Sequence, residues 1–354
     1  MRWLSCAYPS TSIDATRRRL NTLSNSNSTS TDAGTALDPQ IMLFQKRLNA
    51  GYAAHPALDS VPLAEARRIA EVVREPFARG GPVMMHTLER QLVIDGRALR
   101  LRIYRPTAAA ALPALIYLHG GGWRLFSIDT HDRVMREYAA RAGIVVVGVD
   151  YALAPEAPYP AALQQVVAVL DWLQLQAESL GLDPSRLAMG GDSAGANLAL
   201  SAAMRWRDSV HAASLSALVL NYGAFGCATD TDSHRRYTGP DYLLTSAEMR
   251  GFWHDYLAGA DALDPFAQPL VAERQHLQGL PPSWLAVAEC DVLRDDSIAM
   301  ADRLRAASVD TRITIYPGTT HSFLEAMDFA AVSQRALDET AAWLRQQLDA
   351  RSPR

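Results

Sequence analysis

Short apolar runs alternate with helical segments along most of this 354-residue chain, and this alternation limits the possible folds more than any other feature. Apolar strands separated by helices are typical of βαβ units, in which helices cover both faces of a mainly parallel sheet. The pattern therefore predicts an α/β fold. The six predicted strands are residues 114–118, 144–149, 187–189, 217–220, 284–288 and 311–316.

Two further strands are predicted before these runs. Residues 89–94 and 99–104 flank Asp95 and Gly96, a dipeptide that favours a two-residue hairpin turn. We expect this hairpin to open the sheet, which gives eight strands in all.

The N-terminal part of the chain changes character near residue 37. Residues 21–35 form a polar low-complexity stretch, and we expect residues 1–36 to be a disordered tail, because such a stretch buries too little apolar surface to offset its ordering entropy. Apolar residues at helical spacing then predict two amphipathic helices within residues 37–80, separated by a turn at Pro56.

A long aromatic-rich insert at about residues 222–280 interrupts the alternation and exceeds the length of an ordinary connection. Together with the helices of residues 37–80, it could form a cap over a pocket in a catalytic domain of residues 81–350. The alternative is that its aromatic residues only attach surface helices to the body, since aromatic side chains contribute strongly to packing everywhere.

Charge and cysteine usage exclude several classes of partner. The formal net charge is −4 and the pI is near 6.1, so the chain has no basic field for nucleic acid or an anionic membrane surface. No apolar run reaches the roughly 18 residues needed to span a bilayer. The three scattered cysteines, Cys6, Cys227 and Cys290, indicate reduced thiols in a cytoplasmic protein.

The strongest local motif is GDSAG at residues 191–195, between a predicted strand and a predicted helix. A GxSxG sequence in that context makes a sharp turn that presents its serine, here Ser193, above the edge of the sheet. The glycines tolerate the strained backbone and the close contacts of such a turn.

A second glycine-rich segment, HGGGW at residues 119–123, follows the first core strand. Its backbone N–H groups, at Gly121 and Gly122, are suited to stabilise a developing oxyanion. A phosphate cradle is the alternative, but the segment lacks a GK[ST] ending and an acidic partner for a metal.

A serine nucleophile requires a base, and the base requires a carboxylate that orients it. Among nine histidines, His321 follows the last predicted strand, and Asp291 follows the strand before it. The order Ser193, Asp291, His321 is the order of an α/β-hydrolase triad. Asp295 and Asp296 compete with Asp291, but we expect them to be helix-start acids that mainly interact with the helix dipole.

The combined motifs resemble the hormone-sensitive-lipase-like α/β-hydrolases, the bacterial family IV esterases, and their GDSAG subgroup. The resemblance covers about residues 80–345 and rests on HGGGW, GDSAGAN and three further segments: DYALAPEAPYPAAL at 150–163, DVLRD at 291–295 and HSF at 321–323. It departs from the family at Ala152, Ala196 and Val292, where arginine, glycine and proline are usual. The missing arginine removes a structural contact.

The resemblance implies an α/β-hydrolase fold with a helical cap, no cofactor and no metal. Ser193 would be the nucleophile, His321 the base and Asp291 its partner. The oxyanion hole would consist of the N–H groups of Gly121, Gly122 and Ala194, while His119 and Gly120 would support the glycine loop.

The expected reaction is hydrolysis of small-molecule carboxylic esters with short or medium acyl chains. An amidase or formamidase remains open, because the same groups can cleave amides. A non-catalytic receptor is less favoured, because all three triad residues are present. The sequence does not distinguish a monomer from a homodimer.

Overall fold

The alternating apolar runs form one eight-stranded sheet in the computed structural model, which describes residues 36–209 and 214–350. The strand order is β1-β2-β4-β3-β5-β6-β7-β8. Strand β2 is antiparallel to β1 and β4, and the other pairings are parallel. The strands are β1 His86–Ile94, β2 Arg97–Arg105, β3 Leu112–Leu118, β4 Val145–Asp150, β5 Leu182–Asp192, β6 Ala217–Asn221, β7 Ser283–Ala288 and β8 Thr311–Tyr316.

The sheet confirms the predicted hairpin and the mainly parallel core. The predicted β5 was too short: the strand begins five residues earlier, at Leu182, and continues to Asp192. The apolar run marked only part of its buried portion. Its first half is polar and partly exposed, and its last residues include Gly190, where an added Cβ would lie 2.9 Å from Val219.

Ten α-helices within the described residues surround the sheet and its loops. They are α1 Pro39–Ala53, α2 Leu63–Ala78, α3 Asp132–Ala142, α4 Ala161–Gln176, α5 Ala194–Arg207, α6 Asp232–Arg236, α7 Ser246–Leu257, α8 Arg274–Leu277, α9 Arg294–Ala306 and α10 Ala331–Asp349. None of them is long and apolar enough to cross a membrane.

Both faces of the central strands are buried, as the prediction of helices on both faces requires, whereas the edge strand β1 is largely exposed. Successive side chains of β3 alternate between two apolar clusters: Ile116 and Leu118 pack with α4, α5 and α9, whereas Leu115 and Tyr117 pack with α3 and α10. This period-two division of an entirely apolar strand is the pattern of a central strand in a covered sheet.

The two predicted N-terminal helices are present as α1 and α2, with the turn at Pro56 between them. Asp38 caps α1, because its Oδ1 accepts hydrogen bonds from the N–H groups of Gln40 (2.7 Å) and Ile41 (3.3 Å). The predicted insert contains α6, α7 and α8, between β6 and β7. Residues 1–35 of the predicted tail lie outside the described residues.

Candidate active site

Ser193 lies at the junction of β5 and α5, in a strained turn. Its backbone has φ +55° and ψ −119°, a conformation that non-glycine residues rarely adopt. Its N–H donates a 2.9 Å hydrogen bond to the carbonyl oxygen of Asn221, at the end of β6. The neighbouring strand therefore holds the turn at its most strained residue.

The two glycines of the turn are required by close contact with β3. A Cβ added at Gly195 would lie 2.0 Å from the carbonyl oxygen of Leu118, and one at Gly191 would lie 2.4 Å from the same atom. A larger residue at either position would push the turn away from β3.

His321 and Asp291 lie on loops that follow β8 and β7, and both reach the serine. The Oγ of Ser193 is 2.9 Å from Nε2 of His321, and Nδ1 of His321 is 2.7 Å from Oδ2 of Asp291. The Asp291 carboxylate is fully buried, and its Oδ1 accepts the N–H of Leu293 at 3.0 Å. The structure thus brings together the three side chains of the predicted triad in one hydrogen-bonded series.

The two competing carboxylates lie elsewhere. Asp295 accepts the N–H of Ser233 at 2.8 Å, in the insert. Asp296 accepts the N–H groups of Phe225 (3.0 Å) and Gly226 (2.9 Å) and is almost fully buried. Asp295 and Asp296 do lie in the first turn of α9, as expected. The main interaction of Asp296 differs from the expectation, because its carboxylate holds the loop after β6.

Burial raises the pKa of Asp296 to about 7, and the nearby charges of Asp291 and Asp295 act in the same direction against the two backbone hydrogen bonds. No local pattern in the sequence could have shown this, because the bonded residues are about 70 positions apart.

The glycine segment after β3 turns sharply beside Ser193. Gly121 and Gly122 have φ +113° and +61°, and the carbonyl oxygen of Gly121 accepts hydrogen bonds from the N–H groups of Arg124 (3.1 Å) and Leu125 (2.9 Å). Ala194 is the first residue of α5, where backbone N–H groups have no intrahelical acceptor. The three predicted oxyanion donors therefore lie on the two turns that border the serine.

His119 and Gly120 form the start of this segment. Nδ1 of His119 lies 2.7 Å from the carbonyl oxygen of Gly120, and its ring stacks on Tyr151 at 4.3 Å. The Tyr151 hydroxyl donates to the His119 carbonyl oxygen at 2.7 Å. Burial, together with the neighbouring His131, lowers the pKa of His119 to about 4, so this ring is neutral and serves to fix the loop.

Sequence reasoning missed a buried polar cluster beside the serine, which includes Asp192, Tyr117 and His131. Asp192 accepts a 2.9 Å hydrogen bond from the Tyr117 hydroxyl, and its other oxygen is 3.2 Å from Nε2 of His131. Although burial opposes the charged imidazolium, the Asp192 carboxylate outweighs it and raises the pKa of His131. The cluster supports the backbone next to Ser193.

A cavity of about 1010 Å³ opens above these residues. We call the segments at its base the floor: residues 119–123 and 191–195 with Asp291 and His321. Of these, Gly121, Gly122, Asp192, Ser193 and His321 line the cavity. We call its sides the walls: the cavity-lining residues of 49–74 and 239–252, which come from the two segments predicted to form a cap. The walls are largely apolar and include Tyr52, Leu58, Leu244, Met249 and Phe252.

Comparison with known proteins agrees with this geometry. A family model described as alpha/beta hydrolase fold matches residues 115–325. The chain belongs to the α/β-hydrolase family. Its fold, its eight-stranded sheet and its resemblance to the hormone-sensitive-lipase-like carboxylesterases are thereby confirmed.

This α/β-hydrolase is similar to several proteins named for ester hydrolysis. It is 34% identical over 327 residues to the carboxylic ester hydrolase LipN of Mycobacterium tuberculosis. The match covers 89% of this chain and 84% of that protein. It is 37% identical over 234 residues to an ethyl acetate hydrolase of Pseudomonas putida. This match covers 65% of this chain and 73% of that protein. The predicted enzyme class, a carboxylesterase, is confirmed by these matches.

The solved structure of a thermostable esterase from Pseudomonas putida ECU1011 has a TM-score of 0.82 to this α/β-hydrolase. The two are 28% identical, and the match covers 91% of this chain and 99% of the other. Within residues 36–209 and 214–350, no group of three or more His, Cys, Asp or Glu side chains could hold a metal ion.

Proposed function

We propose that this α/β-hydrolase cleaves carboxylic esters through Ser193, His321 and Asp291, by way of an acyl-enzyme. The observation that carries the proposal is the series of two short hydrogen bonds, from the Ser193 hydroxyl to His321 and from His321 to the buried Asp291 carboxylate. A serine hydroxyl becomes an effective nucleophile when a base at this distance accepts its proton.

In the first half-reaction, the Oγ of Ser193 attacks the ester carbonyl carbon while its proton moves to Nε2 of His321. Asp291 accepts a hydrogen bond from Nδ1–H, holds the ring in the required tautomer and stabilises the imidazolium that forms. The tetrahedral intermediate then collapses, the alkoxide leaves with the proton from Nε2, and the acyl group remains on Ser193.

The negative charge that develops on the carbonyl oxygen requires donors fixed in advance. We assign this role to the backbone N–H groups of Gly121, Gly122 and Ala194, which belong to the two turns beside Ser193. Fixed donors of this kind stabilise the transition state more than the substrate, so they increase turnover.

In the second half-reaction, water takes the place of the alcohol. His321 removes a proton from the water, the hydroxide attacks the acyl carbon, and Ser193 recovers its proton as the carboxylic acid leaves. Every proton is carried by His321, so the cycle needs no cofactor.

We further propose that the acyl chain is short or medium. The relative named an ethyl acetate hydrolase supports the short end of this range. The largely apolar cavity of about 1010 Å³ supports an upper end well beyond acetate, since it offers room for a substantial acyl or alcohol group. No observation favours amide substrates or a non-catalytic receptor. The cysteine usage supports a cytoplasmic location.

The direct test is labelling with an activity-based phosphonate. Ser193→Ala should abolish both the label and nearly all hydrolysis of a nitrophenyl ester, while the circular dichroism spectrum stays that of the parent protein. Mass spectrometry should locate the label on Ser193. A label on another serine, or full turnover in the variant, would refute the proposed function.

A further inference from the structure

Arg67, on α2, binds the backbone of two loops that border the floor. Its Nε donates to the carbonyl oxygen of Arg124 at 2.8 Å, and its Nη2 donates to the carbonyl oxygen of Ala154 at 2.9 Å. The same guanidinium pairs with the Glu156 carboxylate through Nη1 (2.9 Å) and Nη2 (2.7 Å). One side chain from the N-terminal segment therefore connects three residues of two loops.

The Arg124 contact matters because this residue closes the oxyanion turn. The carbonyl that Arg67 binds belongs to the Arg124–Leu125 peptide, and the N–H of that peptide, from Leu125, donates to the carbonyl oxygen of Gly121 at 2.9 Å. The peptide that Arg67 binds is therefore part of the same turn as Gly121 and Gly122. The second loop is tied to this turn as well, since the N–H of Ala154 donates to the carbonyl oxygen of Trp123 at 2.8 Å. Arg67 completes a closed set of contacts around the glycines.

The loop after β4, which Arg67 contacts, also contains a departure from the family pattern that was noted in the sequence. The related esterases usually carry arginine at the position of Ala152, whereas here the N–H of Ala152 donates to the Gln165 side chain at 2.7 Å. In this chain a guanidinium from α2, that of Arg67, holds the loop after β4 through the carbonyl oxygen of Ala154.

Only a guanidinium can make these contacts together. It is planar, always charged, and presents five N–H donors in a fixed fork, whereas a lysine ammonium is a single point of charge. The Glu156 side chain is 58% exposed, so its ion pair contributes little, and the two carbonyl contacts carry the positioning.

We propose that Arg67 is a positioning residue for the oxyanion hole: it holds the Gly121 turn so that the two glycine N–H groups stay directed at the reacting carbonyl. The proposal rests on the proposed function, because it assumes that these N–H groups stabilise the oxyanion. Since that charge exists only in the transition state, displacement of the turn should lower kcat and leave KM nearly unchanged.

The test compares Arg67→Met with Arg68→Met. Arg68 is the next residue on α2 and pairs with Glu65 on the same helix, so its loss removes a similar side chain without touching the two loops. We expect Arg67→Met to lower kcat at least about tenfold, somewhat less than the loss of a whole oxyanion donor, with KM within about twofold of the parent. Arg68→Met should match the parent in both.

A second readout separates positioning from general damage. The rate at which a phosphonate labels Ser193 also depends on the oxyanion donors, because the adduct places an oxygen in the same position. This rate should fall in Arg67→Met by the same factor as kcat. Arg67→Lys, which keeps the charge but not the fork, should lose most of kcat as well.

The proposal is overturned if folded Arg67→Met keeps kcat within about twofold, or if its loss appears only in KM or in thermal stability. If Arg67→Met does not fold, Arg67→Lys takes its place under the same criteria. Failure of the proposed function is a different result: the parent protein itself would not be labelled at Ser193. Normal labelling of both the parent and Arg67→Met would contradict only the proposed role of Arg67 and would leave the proposed function intact.

Discussion

The floor and the walls of the cavity are built in different ways. Floor residues lie at the carboxyl ends of parallel strands, are buried, and are fixed by hydrogen bonds such as that from the Ser193 N–H to Asn221. Wall residues lie on α1, α2, the turn between these helices and the insert, and most of their side chains are apolar. The comparison indicates that reaction rate depends on the floor and substrate fit on the walls, and that the two meet at a few defined contacts.

The largest expected effect tests the floor. Asp291→Asn should lower kcat by about 10⁴, the loss that a serine protease shows when its triad Asp becomes Asn, because the amide favours the wrong tautomer of the histidine. Steady-state kinetics with a nitrophenyl ester measure it. The control is Asp295→Asn, one turn further on, whose carboxylate contacts the insert and not His321. A large loss in the control would transfer the role to Asp295.

The second prediction tests how much a contact between the walls and the segment after His321 contributes to stability. Arg74 on α2 and Glu325, just after His321, form a buried ion pair at 2.5 Å, with side chains 9% and 6% exposed. Glu325→Ala leaves a buried cation without its partner, so the free energy of unfolding should fall by about 3–5 kcal/mol. Urea unfolding measures the change.

Its control is Asp338→Asn, which removes one of two acidic partners of Arg141, in an ion pair whose acid is 65% exposed. This change should cost only about 0–1 kcal/mol. Equal losses in the two variants would mean that the contact between α2 and the His321 loop has no special importance for the fold.

The third prediction concerns the pH dependence of the free energy of unfolding. The pKa of Asp296 is raised by burial to about 7, above the 3.8 that is usual for an aspartate, so between these values the folded protein holds a proton that the unfolded chain has lost. The contribution of Asp296 therefore becomes less favourable as pH rises through this window, by about 1.4 kcal/mol per unit. Asn cannot ionise, yet its side-chain oxygen can accept the same two N–H groups.

Asp296→Asn should thus gain roughly 2–3 kcal/mol relative to the parent between pH 5 and pH 8. Urea unfolding of both proteins at several pH values measures the difference. A difference that does not change with pH would show that Asp296 is ionised throughout, which would also change the electrostatics of the floor beside Asp291.

The smallest expected effect tests the walls. The ring of Phe252 lies against Gly122, since a Cβ added at Gly122 would be 2.3 Å from it. Phe252→Ala enlarges the cavity beside the reacting carbon, so the ratio of kcat/KM for longer to shorter acyl esters should rise about tenfold, within the range that pocket contacts provide. The control is Phe266→Ala, an aromatic residue of the same insert that does not line the cavity. An unchanged ratio would show that Phe252 does not determine which acyl chains the cavity accepts.

The parts that could be predicted from the sequence are those in which residues close together in the chain form one structural element or follow it directly. Strand, turn and helix follow one another around Ser193, and His321 and Asp291 each come directly after an apolar strand, so position alone selected them. The hydrogen bonds that Asp192 accepts from Tyr117 and His131 join residues 75 and 61 positions apart, and they leave no local pattern. The contacts of Arg67 and Asp296 could not be predicted for the same reason, since they also join residues far apart in the chain.

The hydrogen bond between Ser193 and His321 joins residues 128 positions apart. Closing so long a segment costs entropy that is recovered only when β6, β7 and β8 have all added to the sheet in order. During synthesis the serine therefore leaves the ribosome long before its base, and a truncated chain would have a nucleophile that nothing activates. Recovery of hydrolysis after dilution from denaturant should consequently be among the last signals to return, which makes turnover a measure of completed folding.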